Sequence, residues 1–568
     1  NMMAVRNLFP PPLFQLQSNL RLSMWRIADQ PVMGSAVAAV SAMKPALVPV
    51  TYDVAERLRT PSGQSLMDCT FLSAQSNSAK ATRSRLEYFE GMADRLGVVS
   101  VSDDETKCDY CDVVVLTGHC RADESTSYWH GLPLSGQLRD TDASVGFYFL
   151  DQVLARQRGG DGAPLLFAGL VVGVVGSVIQ RDFTTGRPQF VNAHRVCLPS
   201  MPAVGPPSAT DPRLSAVDGR GFRVMFVCGP YYADSTTTMT LLTRIVDLAS
   251  QRGASLLVIG GPFLSDDETH DVPVAPLPDS AKLQQVRNSS AIVDAARLDA
   301  ADHGIESYLD RLSSIIGHVS AQAARRNEAN KKEDSTKPAL TVGIVPDTGD
   351  VTEFPFLPQR SFNIDPASAG GLLLLPNPSH ITVGGCLRLG MTTSNTLSAV
   401  SSAAADGAAA GLPPKSRPRA LCESVCRCGS FAPVTTIGGG IPPLRGTSSP
   451  ADMNGLSLCS MLDPDTGHAP HLVLFPNVDF ADAFLVAATA RDPAEAAAGS
   501  PAVVSMMRSS HPRASPNSKR AAGTASALGE ALVTSVVDVT VLDVGSYVRS
   551  HDSGLLKVTV HSVIENTA

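Results

Sequence analysis

Residues 223–264 read RVMFVCGPYYADSTTTMTLLTRIVDLASQRGASLLVIGGPFL. The apolar run 223–228 ends in Gly229-Pro230-Tyr231. After a polar gap, Met239, Leu242, Ile245, Val246 and Ala249 recur at three- and four-residue spacing, which predicts an amphipathic helix over 236–251. A second apolar run, 255–259, ends in Gly261-Pro262-Phe263-Leu264. Two buried-strand patterns joined by one helix predict a βαβ unit with parallel strands.

Working outward toward the C-terminus, Tyr308, Leu309, Leu312, Ile315, Ile316 and Val319 predict a second helix over 305–322, and 340–345 the next strand. Further strands are predicted at 371–375, 380–391, 471–475, 535–542 and 554–562. The whole of 220–568 therefore reads as one α/β domain. Three inserts rich in Ala, Ser, Pro and Gly interrupt it near 401–419, 438–450 and 500–527, with too little apolar surface to build a core.

Toward the N-terminus the period changes. Residues 1–60 lack sustained periodicity and are expected to form a poorly ordered leader. In the helical lead-in expected over 61–105, Leu86, Phe89, Met92 and Leu96 predict a short helix within 84–96. Residues 106–205 carry Val-, Phe- and Leu-rich runs at 112–119, 145–150, 165–175, 178–183 and 189–198, separated by turn residues. Five short strands in about 100 residues suggest a small barrel, with the OB-fold as leading candidate. The fold class is thus α/β plus β.

Composition narrows the function. The 568 residues contain 46 Lys plus Arg against 54 Asp plus Glu, a formal charge of -8, which removes the broad electrostatic case for gripping nucleic acid over most of the surface and leaves room only for a local basic patch. Eleven irregularly spaced cysteines read as reduced thiols of an intracellular chain. The first segment, broken by Pro10, Pro11, Pro12, Arg21 and Arg26, has no export-signal pattern. The uncharged stretch 162–180 has an apolar centre that would span about 22 Å as a helix, short of the ~30 Å hydrocarbon core, and its glycines suit buried strands.

Spacing discriminates among the candidate metal ligands. Cys108, Cys111, His119 and Cys120 are zinc-type ligands, but the strand-like text between them would hold His119 more than roughly 20 Å from Cys111. Cys422, Cys426 and Cys428 offer three thiolates without a close fourth ligand. Asp266, Asp267, Glu268 and His270 follow a strand, yet Ser265 and Glu268 form a capping box for a helix start. In Gly467-His468-Ala469-Pro470-His471 the second His sits one residue late for a phosphoesterase GHxH, so a pre-strand loop is expected. The basic segment 508–520 lacks aromatic residues for base stacking and reads as a solvated loop. A binuclear phosphoesterase needs D-x-H, G-D-x-x-D and G-N-H-D/E at successive strand ends; here those places hold Gly-Pro-Tyr, Gly-Pro-Phe and Pro346-Asp347-Thr348-Gly349-Asp350.

In order along the chain, Cys228-Gly-Pro-Tyr231, Gly261-Pro-Phe-Leu264, Val345-Pro-Asp-Thr-Gly-Asp-Val351, Pro358-Gln359, Asn377-Pro378, Ile381-Thr-Val-Gly384 and Gly390-Met-Thr-Thr-Ser394 resemble the regulatory B subunits of DNA polymerase alpha/primase. Leu472-Val-Leu-Phe-Pro476 looks like that family's late strand, and Gly169, Gly176 and Thr185-Gly186-Arg187 match its barrel. The resemblance implies an OB-fold barrel packed on a calcineurin-like metallophosphoesterase domain lacking metal ligands. It marks Gly229, Pro230, Tyr231, Gly261, Pro262, Phe263, Pro346, Asp350, Pro358, Gln359 and Pro476 as structural motif positions. It further implies no catalysis and no cofactor, a nuclear location, and a scaffold that holds the C-terminal region of the catalytic subunit, with primase reached through the complex and any DNA contact indirect or weak. The alternatives are the small subunit of a delta-type polymerase and an active metallophosphoesterase.

Overall fold

The computed structural model describes residues 24–31, 46–47, 52–54, 89–96, 108–121, 127–134, 144–158, 165–204, 212–229, 231, 235–263, 290–333, 338–347, 350, 357, 359–362, 364, 370–394, 396–397, 400, 417–432, 460–462, 468–477, 502–507 and 533–566.

The βαβ unit of residues 223–264 is the centre of the larger of two facing sheets. Strands β9 (Arg220–Cys228) and β10 (Leu256–Gly260) are parallel, with Phe226 opposite Val258, and β11 (Thr341–Val345) and β12 (Leu373–Leu374) continue the parallel set. β17 (Val533–Val541) pairs antiparallel with the other edge of β9, and β18 (Leu556–Asn566) follows it. Alternation along β9 serves two cores. Val224, Phe226 and Cys228 face the second sheet, while Met225 and Val227 face the helices Ser235–Arg252 and Ser290–Glu333 with their Leu241, Ile245, Ile315 and Ile316. Burial on both faces is why these strands read as continuous apolar runs.

The second sheet has β14 (Leu387–Met391), β15 (Leu472–Asn477) and β16 (Ala502–Met507) in parallel, with β13 (Ser379–Val383) antiparallel to β14. Leu472 and Leu474 of β15 face the first sheet; Val473 and Phe475 face the helix Arg417–Cys428 and the barrel behind it. That helix is the joint. Its Ser424 hydroxyl accepts from the Leu165 amide at 2.7 Å, and Arg427 donates to the Pro199 carbonyl at 2.8 Å. Arg95 donates to the carbonyls of Arg427 (2.6 Å) and Cys428 (2.8 Å), closing the helix C-terminus with a cation that complements its dipole.

The barrel is closed, in the order β4 (Tyr110–Arg121), β5 (Ser127–Pro133), β6 (Val145–Tyr148), β8 (Pro188–Cys197), β7 (Val171–Arg181), with β7 returning to β4. The third and fifth strands of the barrel, β6 and β8, are parallel, and a helix, Leu150–Arg158, lies between the third and fourth in sequence.

The structure departs from the sequence reading at several elements. Residues 1–60, expected as a poorly ordered leader, contribute three strands: β1 (Met24–Pro31) pairs with β18, β2 (Ala46–Leu47) with β9, and β3 (Tyr52–Val54) with β13. Their partners lie more than 150 residues away in every case, so no local pattern announces them. The runs 165–175 and 178–183 are not two strands. They meet in the single strand β7, because Gly176 sits at a register shift where a Cβ would come within 2.2 Å of the Asn192 carbonyl oxygen. Strand β5 and the helix Leu150–Arg158 have no counterpart in the sequence reading. The run 380–391 is a hairpin, turned by Gly384 and Gly385 at φ 59° and 72°. The helix expected over 305–322 extends over Ser290–Glu333. Of the inserts, 401–419 overlaps the start of the helix Arg417–Cys428, 500–527 contains β16, and 438–450 lies outside the described residues. Among the described residues, no helix is long and apolar enough to cross a membrane.

Candidate functional site

The carboxyl ends of β9, β10 and β11 are where an open α/β sheet places ligands. Here they are tied to one another. The Gly229 amide donates to the Gly260 carbonyl and the Gly261 amide to the Val345 carbonyl, both at 2.9 Å. The Tyr231 hydroxyl donates to the Gly260 carbonyl at 2.7 Å. The Tyr231 and Phe263 rings lie 5.7 Å apart, and Phe362 is 5.7 Å beyond. Both glycines are required by close approach. A Cβ on Gly229 would stand 2.0 Å from the Pro262 carbonyl oxygen, and one on Gly261 would stand 1.9 Å from Asp350 Oδ2.

Asp350 is the hub of this knot. Its Oδ1 accepts from the Phe263 amide (2.8 Å) and the Tyr308 hydroxyl (2.9 Å), and its Oδ2 from the Asp347 amide (2.8 Å). Burial, followed by the negative charge of Asp347, pushes its carboxyl up to about 7 against the opposing pull of those donors. A second hub is Asn377. It exchanges backbone hydrogen bonds with Gln359 and donates from Nδ2 to Gln359 Oε1 (3.0 Å) and Thr393 Oγ1 (2.7 Å). Thr393 passes the chain on to the Pro346 carbonyl at 2.6 Å, and Gln359 Nε2 reaches the Asp347 carbonyl at 3.1 Å. The Gly261–Pro262 and Asn377–Pro378 bonds are cis.

Gly229, Tyr231, Gly261, Phe263, Pro346, Asp350 and Gln359 therefore converge, as does the backbone of Pro262. Pro476 lies apart, on β15 of the second sheet, and Pro230 and Pro358 fall outside the described residues. In the sequence Tyr308 shows only as helix periodicity, and Asn377 and Thr393 only as motif text. Nothing in local sequence tells that they meet. Among the described residues, glycines stand at the ends of β9 and β10 and both Asp350 oxygens are occupied by protein donors. Among the described residues, no group of three or more His, Cys, Asp or Glu is placed to hold a metal. Asp266, Asp267, Glu268 and His270 lie outside those residues, as does 508–520.

The cysteine clusters resolve differently from one another. Cys111 is exposed at the start of β4, and His119, later on the same strand, packs its ring against Trp129 at 5.1 Å. Cys422, Cys426 and Cys428 are buried in the joint between helix and barrel. Burial pushes the thiols of Cys422 and Cys428 up to about 12 and that of Cys426 well above its usual value, so none is a ready thiolate. In the native chain iodoacetamide is expected to label Cys111 while sparing these three, which react only after denaturation; peptide mass spectrometry reads the order. His471 is buried just before β15. Its Nδ1 accepts from the Arg388 amide at 3.1 Å, and burial holds its ring well below the usual range, so it is a neutral structural residue of a pre-strand loop.

The molecule is thus a two-sheet α/β shell joined to a closed barrel, with strand ends closed by its own side chains. Residues 224–481, which span both sheets' central strands and this knot, match the family of DNA polymerase alpha/epsilon B subunits. The match spans less than half of the chain and covers the alpha and epsilon types together. No curated protein matches the chain.

Proposed function

We propose that the chain is the non-catalytic scaffold subunit of an alpha-type DNA polymerase/primase complex, acting in the nucleus and holding the C-terminal region of the catalytic subunit. The observation that carries this reading is the coincidence of the family match over 224–481 with strand ends whose polar groups satisfy one another. Such a shell keeps broad surfaces for protein contact. The phosphoesterase-like ancestry is supported by the two facing sheets with helices on the outer face, and the OB-fold reading by the barrel order and its parallel third and fifth strands. The paired Gly-Pro strand ends favour the alpha type.

Co-expression of the full chain with the C-terminal region of an alpha or an epsilon catalytic subunit tests it. A stable complex with the alpha region alone is expected. Capture of the epsilon region alone would reassign the type. Hydrolysis of bis-p-nitrophenyl phosphate dependent on Mn, Mg or Zn would overturn the non-catalytic reading.

A further inference from the structure

Among the described residues, four large apolar side chains stand strongly exposed, and three of them are on the barrel: Phe149 at 46%, Ile179 at 54% and Phe183 at 102%. Phe183 is at the tip of the β7–β8 hairpin, and the turn beneath it is tightly built. The Asp182 amide donates to the Arg187 carbonyl and the Gly186 amide to the Asp182 carbonyl, both at 2.8 Å. Asp182 Oδ1 accepts from the amides of Thr184 (2.8 Å) and Thr185 (2.7 Å) and from the Thr185 hydroxyl (3.0 Å). Gly186 takes the left-handed position at φ 70°. These donors hold the Asp182 carboxyl below its usual range, so its charge is spent on the turn. The ring is fully exposed, yet it is displayed on a pre-organised support.

Behind the tip, β8 lays Phe190 over Gly146, where a Cβ would come within 2.6 Å of the ring. Phe190 stacks on Tyr148 at 5.6 Å and meets Tyr128 edge-on at 5.5 Å, with Phe149 beside Tyr148 at 6.2 Å. The outer face of the barrel is therefore aromatic from β5 to β8.

Charge decides what such a surface fits. Residues 108–200 contain seven Arg and no Lys against nine Asp and Glu, and Arg181 at the hairpin is paired with Asp109 at 3.1 Å. A phosphodiester strand is held largely by excess positive charge, which this barrel lacks. An exposed aromatic side chain on a firmly hydrogen-bonded turn, in a charge-compensated setting, suits an apolar pocket on a polypeptide. We propose that the β7–β8 hairpin is a docking finger whose Phe183 seats in an apolar pocket of the polypeptide the chain holds, with the Tyr148–Phe190 surface covering its flank. The inference rests on the scaffold reading, under which that polypeptide is the catalytic subunit's C-terminal region.

The test titrates the purified full chain against that labelled C-terminal region and, separately, against a dT20 oligonucleotide. Phe183→Ala is expected to weaken protein binding about 10-fold or more with no change in the unfolding midpoint. Phe183→Leu should lose less, and Asp182→Ala, which keeps the ring but loosens its support, should also weaken binding. If the native chain binds and Phe183→Ala binds equally well, the docking finger is wrong and the scaffold reading stands. If the native chain does not bind, the scaffold reading fails and takes this inference with it. Tight dT20 binding lost in Phe183→Ala, with protein capture unaffected, would replace the finger with a nucleic-acid contact. A lowered unfolding midpoint in Phe183→Ala would also count against it, since the ring would then be part of the fold.

Discussion

Gly261→Val is expected to prevent stable folding of the α/β half, and Gly261→Ala to cost at least about 3 kcal/mol. The added Cβ would stand 1.9 Å from Asp350 Oδ2 and 3.1 Å from the Asp347 amide nitrogen. Neither neighbour is the free end of a flexible side chain. Asp350 is fixed by three donors, and displacing it leaves buried amides unsatisfied at about 1–3 kcal/mol each. Gly229→Ala should behave similarly, because its Cβ would meet the Pro262 carbonyl oxygen at 2.0 Å. Gly317→Ala is the control. That glycine lies inside the helix Ser290–Glu333 with nothing within 4 Å of a built Cβ, so the change should be neutral or stabilise by up to ~1 kcal/mol. Urea unfolding of the four variants separates the cases, and equal midpoints for Gly261→Ala and Gly317→Ala would refute the close-packing account.

Asp350→Ala is the second large effect. It strips an acceptor from three buried donors, on the amides of Phe263 and Asp347 and the hydroxyl of Tyr308, and should destabilise by roughly 3 kcal/mol or more. A pH series gives an independent readout. The folded carboxyl is raised to about 7, whereas an unfolded one titrates near ~3.9. Between those values the folded chain keeps a proton that the unfolded chain has released. This group's contribution is therefore fully present at the acid end of the window and falls as pH rises towards 7. Asp350→Asn carries no such titration. It retains an acceptor for Phe263 and Tyr308 but turns an amide towards the Asp347 N–H, so it should be less stable and lose that part of the pH slope. An unchanged slope would show that Asp350 titrates normally.

These two residues also mark how far local sequence reaches. The βαβ unit was legible in residues 223–264 because parallel strands buried on both faces must be continuously apolar and the joining helix must repeat at 3.6 residues. The Gly-Pro strand ends were legible as text. What the glycines are for was not. A turn and a close approach call for the same residue, and only the position of Asp350, some ninety residues away, tells them apart.

Strands β1, β2 and β3 were invisible for a related reason. They complete sheets whose other members lie more than 150 residues later, and an edge strand needs no strong pattern of its own when its partner supplies the register. Cys422, Cys426 and Cys428 offer three thiolates in the sequence, and only the barrel and β15 bury them. Phe183 shows the same limit on the surface. The text Asp182-Phe-Thr-Thr-Gly-Arg187 encodes its own turn, because an Asx side chain and a glycine act within six residues. Whether the ring at its tip is covered depends on where every other element lies. Periodicity, turn chemistry and charge balance are local properties that the chain carries in its order of residues; burial, close approach and exposure belong to pairs of distant segments, and only the closed fold assigns them.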